Sequence, residues 1–359
     1  MIKKFLRMIL SIVILILLLL LTGLAFLSVK EYKSEELESL VVRNPGGESL
    51  ELPQVKTGKT LTLMTWNIGY GGLGDDADSF LEGGTGVRSA EEDRVNYNLT
   101  NINSQIRYQK PDLVLLQEVD TDSDRSFLID EAQRIAVNMT EYAYTFATNH
   151  KCLYVPYPWP PQGKIDAGLM SLSRYHISQG EKHPLPDGVG WPRSIVALKP
   201  CLSVNRLPIA GIENELVVIN LQLGVNGNAD VKKEQAKMLA DLMEKESKAG
   251  NYVIAGGDFC QRFSTVDGSG YPVLEGLWAP EELDCASFGA NWQCVMDNLV
   301  PSRRSLNQAY GAGDKDGFQY YLVDGFIVSS NVEIISLETK NLGFQFSHHN
   351  PVVIKVKLS

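Results

Sequence analysis

Cysteine is scarce in this chain and unpatterned. Cys152, Cys201, Cys260, Cys285 and Cys294 are odd in number and form no CxxC pair. That excludes a zinc knuckle and a dense disulfide framework. A single Cys285–Cys294 bridge is permitted outside the cell but not required, and buried free thiols are the plain alternative. Histidine is equally sparse: three of the five lie between His150 and His183, and the other two are the adjacent pair His348–His349. Positive charge is also short. The net charge is −10, and residues 1–29 contribute Lys3, Lys4 and Arg7 without an acid, so the remainder carries −13. A domain of that sign repels polyphosphate backbones, so tight unaided nucleic-acid binding is not expected. There is no P-loop, no internal repeat, and Asp75, Asp76 and Asp78 do not fit an EF-hand spacing.

One long apolar run is present. Met8 to Val29 is almost unbroken and follows the three basic residues. About 20 such residues cross a bilayer as a helix, whereas a cleavable signal has a shorter core of about 7–15 and a small-residue cleavage site. Thr22-Gly23-Leu24-Ala25 is a poor cleavage site. The expectation is an uncleaved, single-pass anchor over 1–29, with its basic end in the cytoplasm and the rest of the chain outside. Residues 30–59, polar with Pro and Gly, read as a juxtamembrane linker. Residues 60–359, within a chain that is 44% hydrophobic, are ample for one large domain.

That domain alternates strand-like and helix-like stretches. "LTLMTWN" (61–67), "DLVLLQE" (112–118), "ELVVINLQL" (215–223), "NYVIAGGDF" (251–259), "YYLVDGFIV" (320–328), "VEIISLE" (332–338) and "PVVIKVKL" (351–358) read as strands, as do the shorter "YAYTFA", "AGLMSLS" and "SIVALK". Val95, Leu99, Ile102 and Ile106 mark one helical face, and Leu128, Ala132, Ile135 and Met139 another. Leu239, Leu242 and Met243 mark a third helix, stopped at Gly250. Many strands among few helices suggest two packed sheets with helices outside.

Polar residues stand at the ends of these strands: Asn67, Glu118, Gln222 and Asp258, with Asp324 inside one strand and His348-His349 before the last. Each alone has an ordinary explanation as a turn or cap residue. Together they form an ordered set that a sandwich rim would bring into one place.

The set resembles the endonuclease/exonuclease/phosphatase superfamily, which has the fold of pancreatic deoxyribonuclease. The resemblance runs from about Leu61 to the C-terminus through "TWNI" (65–68), "QEVD" (117–120), "GLMSLSRY" (168–175), "VVINLQL" (217–223), "AGGDF" (255–259), "LVDGFIV" (322–328) and "SHHNPV" (347–352). It implies a two-sheet α/β sandwich, here preceded by one transmembrane helix, and hydrolysis of a phosphoester by in-line water attack. Glu118 would hold a divalent metal, Mg²⁺ first and Mn²⁺ or Zn²⁺ as alternatives, with Asn67 close by. His349, oriented by Asp324, would act on the water or the phosphate, and Asp258 would position or deprotonate the water. The substrate classes implied are nucleic acids, phospholipid headgroups and phosphoinositides.

Three positions depart from the pattern. Gln222 stands where the family usually has His, Cys260 where it has Asn, and His348 where it has Asp. Gln222 still donates to a phosphate oxygen but carries no charge, and Cys260 is a weak donor. His348 removes an acid beside the metal, and with Cys260 it makes a softer donor set that favours Mn²⁺ or Zn²⁺. Gln222, Cys260 and, more weakly, Arg193 are expected near phosphate; His348 is a candidate metal ligand. Two readings follow: a phosphoesterase with altered metal preference, or a tethered pseudoenzyme that binds a phosphorylated ligand or a protein. The aromatic, Pro-rich "YVPYPWPPQGK" (154–164) reads as a packed loop or a wall beside the site, Arg174 as a further phosphate contact or surface charge, and 69–88 as a mobile flap.

Overall fold

The computed structural model describes residues 2–359 apart from 35–36, 48–50, 90, 225–228 and 312–316. The apolar run forms α1 (Ile2–Val29), long and apolar enough to cross a membrane. Only Leu24, Leu27 and Ser28, on one face of its last turns, are partly covered.

In chain order the strands are β1 (Glu38–Leu40), β2 (Thr60–Asn67), β3 (Leu113–Asp120), β4 (Ala143–Val155), β5 (Gly163–Ser173), β6 (Gln179–Pro184), β7 (Cys201–Pro208), β8 (Glu215–Gln222) and β9 (Tyr252–Asp258). Then come β10 (Arg262–Phe263), β11 (Glu282–Leu283), β12 (Trp292–Val295), β13 (Arg303–Arg304), β14 (Tyr320–Tyr321), β15 (Asp324–Ser329), β16 (Val332–Thr339) and β17 (Val352–Leu358). Two mixed sheets form the sandwich, one ordered β1-β6-β7-β8-β9-β15-β12 and the other β16-β17-β2-β3-β5-β4. Leu63, Leu115, Val218, Ile254, Phe326 and Ile354 fill the space between them. The outer faces are covered by α2 (Glu92–Gln109) and α3 (Glu131–Ala136) on one side and α4 (Ala229–Lys248) on the other. Each fully buried aliphatic side chain contributes roughly 1.5–3 kcal/mol of transfer free energy.

Three stretches differ from the sequence reading. The described parts of 30–59 pack on the domain instead of linking to it: Leu40 pairs with Gly180 at a sheet edge, and Val55 is fully buried. The buried Lys182 ammonium meets the Tyr32 hydroxyl at 2.5 Å and Glu38 at 3.4 Å. Pro and Gly mark irregular backbone, which still packs when its polar groups find partners. The helix expected around 127–139 shrinks to α3, because Phe127 and Leu128 adopt left-handed backbone and Leu128 turns outward. "SIVALK" forms a 3₁₀ turn (Arg193–Val196), not a strand. All five cysteines are free thiols.

Candidate active site

The register of the strands assembles one polar rim. β2 and β3 run parallel with Asn67 opposite Gln117, so Glu118 follows at the same end. β17 runs antiparallel to β2 with Val352 opposite Thr65, which brings His348 and His349 in at that end. In the other sheet Asp258 lies opposite both Gln222 and Asp324. Just beneath the rim a neutral network ties the sheets together. Gln117 donates to Asn220 Oδ1 at 2.8 Å, and Asn220 donates to the Leu116 and Met170 carbonyls at 3.1 Å each. Fully buried amides paired in this way fix the relative position of the two layers.

Local sequence explains why each motif sits as it does. In "TWNI", the Trp66 indole donates to the His349 carbonyl at 2.9 Å, and Ser347 Oγ donates to the Asn67 carbonyl at 2.7 Å. The first strand and the "SHH" segment are therefore interlocked. In "AGGDF", a Cβ on Gly257 would stand 2.0 Å from the Leu221 carbonyl oxygen, so only glycine fits. Glu118 sits in a bulge between Leu116 and Val119 with φ +54, a left-handed conformation that costs a non-glycine residue roughly 1–3 kcal/mol. The bulge turns its carboxylate toward the rim.

The side chains converge. Asn67 Nδ2 donates to Glu118 Oε1 at 2.9 Å and to Asp258 Oδ2 at 3.1 Å. Gln222 Nε2 donates to the same Glu118 oxygen at 2.8 Å. His349 Nδ1 lies 2.7 Å from Asp324 Oδ2, and its Nε2 lies 3.8 Å from Asp258 Oδ2. The Asp324 contact assigns the proton to Nδ1 and leaves Nε2 facing Asp258. Asp258, Asp324 and His349 are all buried, and their ligand atoms lie within 4.8 Å of one another.

Burial sets the electrostatics. It pushes Asp324 up to about 8, against the Ser302 hydroxyl, and raises Asp258 with help from Asp324. It holds His349 down to about 4, against the pull of Asp258. Burial by itself thus favours the uncharged form of each group, and a cation beside them would favour the Asp324 carboxylate that accepts from Nδ1. Two acids crowded with an imidazole in a dry pocket are a donor set that a cation would relieve. The buried acceptor Gln222 Oε1 has no partner, which fits the same conclusion. The residues present therefore fit a divalent metal.

The departing residues are on or beside the rim. Cys260 is buried, with φ +50 and its N–H donated to Asp258 Oδ1 at 2.9 Å. Burial and the neighbouring Asp258 raise its thiol well above the ordinary range, so it stays neutral. Asparagine tolerates this left-handed backbone better than cysteine does. The His348 ring stands edge-on to His349 with centroids 4.3 Å apart, and its buried Nδ1 has no partner. Burial and the adjacent His349 keep it neutral.

Two expected cations are elsewhere. Arg193 is exposed on the 190–196 turn, and Arg174 lies beside Asp112 and Glu141 at the far end of β3. Near the rim stands Arg303 instead, which no motif in the sequence singled out. It pairs across the ladder with His349, through Arg304 N–H to the His348 carbonyl and Asn350 N–H to the Ser302 carbonyl. Such a non-hydrogen-bonded antiparallel pair puts the two side chains close together on one face. The Arg303 guanidinium lies between the Trp278 and Tyr321 rings, 4.9 Å from each, and pairs with Glu82. Glu82 also accepts the Leu306 N–H at 2.8 Å, so the loop read as a mobile flap is latched at this point.

The comparisons agree with this fold. Solved structures that resemble the chain include an endonuclease/exonuclease/phosphatase of Beutenbergia cavernae, 19% identical, with TM-score 0.54, covering 84% of this chain and 72% of that one. A family protein of Bacteroides vulgatus is 13% identical with TM-score 0.54, covering 84% of this chain and all of that one. A mannosyl-6-phosphatase of Bacteroides thetaiotaomicron is 13% identical with TM-score 0.53, covering 82% and 99%. Among curated proteins no sequence relative is detected. A profile of the endonuclease/exonuclease/phosphatase family matches residues 64–259, more than half of the chain, and the chain belongs to that family.

Proposed function

We propose that the chain is a membrane-anchored, outward-facing phosphoesterase that uses a divalent metal and in-line attack by water. The observation that carries this is the buried triad of Asp258, Asp324 and His349 beside the rim-facing Glu118. Glu118 and Asn67 would hold the metal, with Asp258 within reach. When bound, the metal supplies positive charge to the phosphoryl oxygens and acidifies water. Asp324 holds the His349 ring and its tautomer, so Nε2 is free to take a proton from water or to steady a phosphoryl oxygen. Asp258 holds the attacking water by its carboxylate. Arg303 adds a fixed positive charge on the same face, at a rim where Gln222 offers only an amide. The basic residues before α1 favour a cytoplasmic N-terminus, and α1 is the anchor.

One observation favours a second reading, a pseudoenzyme that only binds. Asn67 and Gln222 both donate to the same oxygen of Glu118, an arrangement that is satisfied without a metal. The full chain in detergent, assayed on an activated phosphodiester with Mg²⁺, Mn²⁺, Zn²⁺ or chelator beside Glu118→Ala, separates the two. Metal-dependent turnover lost in the variant is expected. Turnover no higher than that of the variant with every metal overturns the enzyme reading for this substrate class.

A further inference from the structure

The hairpin between β4 and β5 runs on past the end of β3 that carries Glu118. β5 pairs with β3 as far as Ala167 opposite Asp120, and the hairpin then runs on to Val155 and Gly163. At about 3.3 Å per residue, Gly163 stands about 13 Å beyond Ala167. Tyr157 and Trp159 in its tip are 74% and 86% exposed. The tip is tied to the loop that follows Asn67: the Tyr157 ring packs on Phe80 at 6.3 Å, and Gln162 donates to the Val87 carbonyl at 3.2 Å.

A second aromatic flanks the hairpin. The 190–196 turn packs through Val196 on Cys152 and Ile165, and the Val196 carbonyl lies 3.0 Å from His150 Nε2. In this turn Trp191 is 64% exposed, yet its indole N–H donates to Ser28 Oγ at 3.0 Å. Ser28 is in the last turn of α1. Just beyond it, Glu31 pairs with Lys199 at 3.2 Å and the Tyr32 hydroxyl donates to the Thr148 carbonyl at 3.4 Å. The end of the apolar helix, the Trp191 turn, the hairpin tip and the active-site rim are thus one connected run of contacts without a slack linker.

We infer that Tyr157, Trp159 and Trp191 lie in the headgroup layer of the membrane that holds α1, and that the phosphoester presented to the site is a phospholipid headgroup. This rests on the anchored-phosphoesterase reading above. The end of a spanning helix marks the membrane surface, and Trp191 is bonded to that end. Tyr and Trp, apolar with one polar handle, favour this layer. Exposed aromatic surface of this kind next to a site marks a docking face. The exposed Arg193 has no acidic partner among the described residues and suits anionic lipid phosphate.

The test uses the full chain in phosphatidylcholine/phosphatidylglycerol vesicles, with brominated acyl chains as quenchers of tryptophan fluorescence. Quenching in the wild type that is mostly lost in the Trp159→Ala/Trp191→Ala double variant is expected. Absent quenching, or quenching unchanged in the variant, overturns the membrane contact without reference to turnover. A carbonate wash reads the anchor separately: retention without quenching keeps the anchor and overturns the inference. For the substrate, the double variant should release phosphorus product from vesicle lipid at least about threefold more slowly than the wild type. Its turnover of a soluble activated diester should be unchanged. Equal loss on both substrates, or turnover of the soluble ester with none of the lipid, overturns the lipid assignment.

Discussion

The retained and the departing residues of the rim behave differently. Asn67, Glu118, Asp258, Asp324 and His349 form a closed set in which each side chain bonds another of the set. Gln222, Cys260 and His348 surround it and leave loose ends. Gln222 Oε1 and His348 Nδ1 are buried without partners, and Cys260 holds a strained backbone with a neutral thiol. A rim losing its function would be expected to loosen at its centre first, because buried acids are costly to keep. Here the centre is intact and the change lies in what surrounds it. The difference supports the proposed phosphoesterase over the pseudoenzyme.

The largest effect should come from breaking the centre. Asp324→Asn removes the acceptor that fixes the His349 ring, and His349→Ala removes the ring. Each should lower metal-dependent turnover by about 10²–10³, the scale of losing one well-placed electrostatic group. Because the two act as a unit, the double variant should lose little more than either single one. Additive losses, read from steady-state rates, would separate the two roles. Next in size is Arg303→Met. If this guanidinium supplies the charge that Gln222 lacks, its loss should raise KM for the phosphoester about 10- to 100-fold, as for a hydrogen bond to a charged group. Gln222→His should then recover part of the loss in the Arg303→Met background and change little alone. No rescue would leave Arg303 as only the latch for Glu82.

The rim's members were legible because strands have a period of two and fixed ends. Once "TWN", "QE", "GGD" and "SHH" terminate apolar runs, pairing must line them up. Arg303 was illegible for the converse reason. It lies on a two-residue strand with no apolar pattern, and a cross-strand partner 46 positions later in the chain, at His349, sets its direction. Arg193 misled as a residue of the rim, because its segment folds as a surface turn away from the converging strand ends. The docking of Tyr32, Leu40 and Val55 was hidden by composition, since these are single anchors spaced too widely to make a periodic signal.

His348→Asp should have a smaller effect, on metal rather than rate. It places a hard oxygen donor where a neutral, buried imidazole stands, so it should tighten Mg²⁺ and weaken the preference for Zn²⁺. A change of about tenfold in the Mg²⁺ dissociation constant, about 1.4 kcal/mol, is expected from calorimetric titration. Unchanged affinities would place His348 outside the metal's reach, as a packing group against His349.

Cys260→Asn should have the smallest effect and the opposite sign. At φ +50 a cysteine is strained, and asparagine enters the left-handed region more readily. The Cys260 N–H to Asp258 bond is a backbone contact and survives the change. The variant should therefore gain up to about 1 kcal/mol, a part of the roughly 1–3 kcal/mol that such a backbone stores. Thermal unfolding of the metal-free chain reads this directly, before any effect on phosphate binding. A loss of stability instead would mean that the amide does not fit the pocket around Phe259 and Asp258, and that cysteine was kept there for its small, apolar shape.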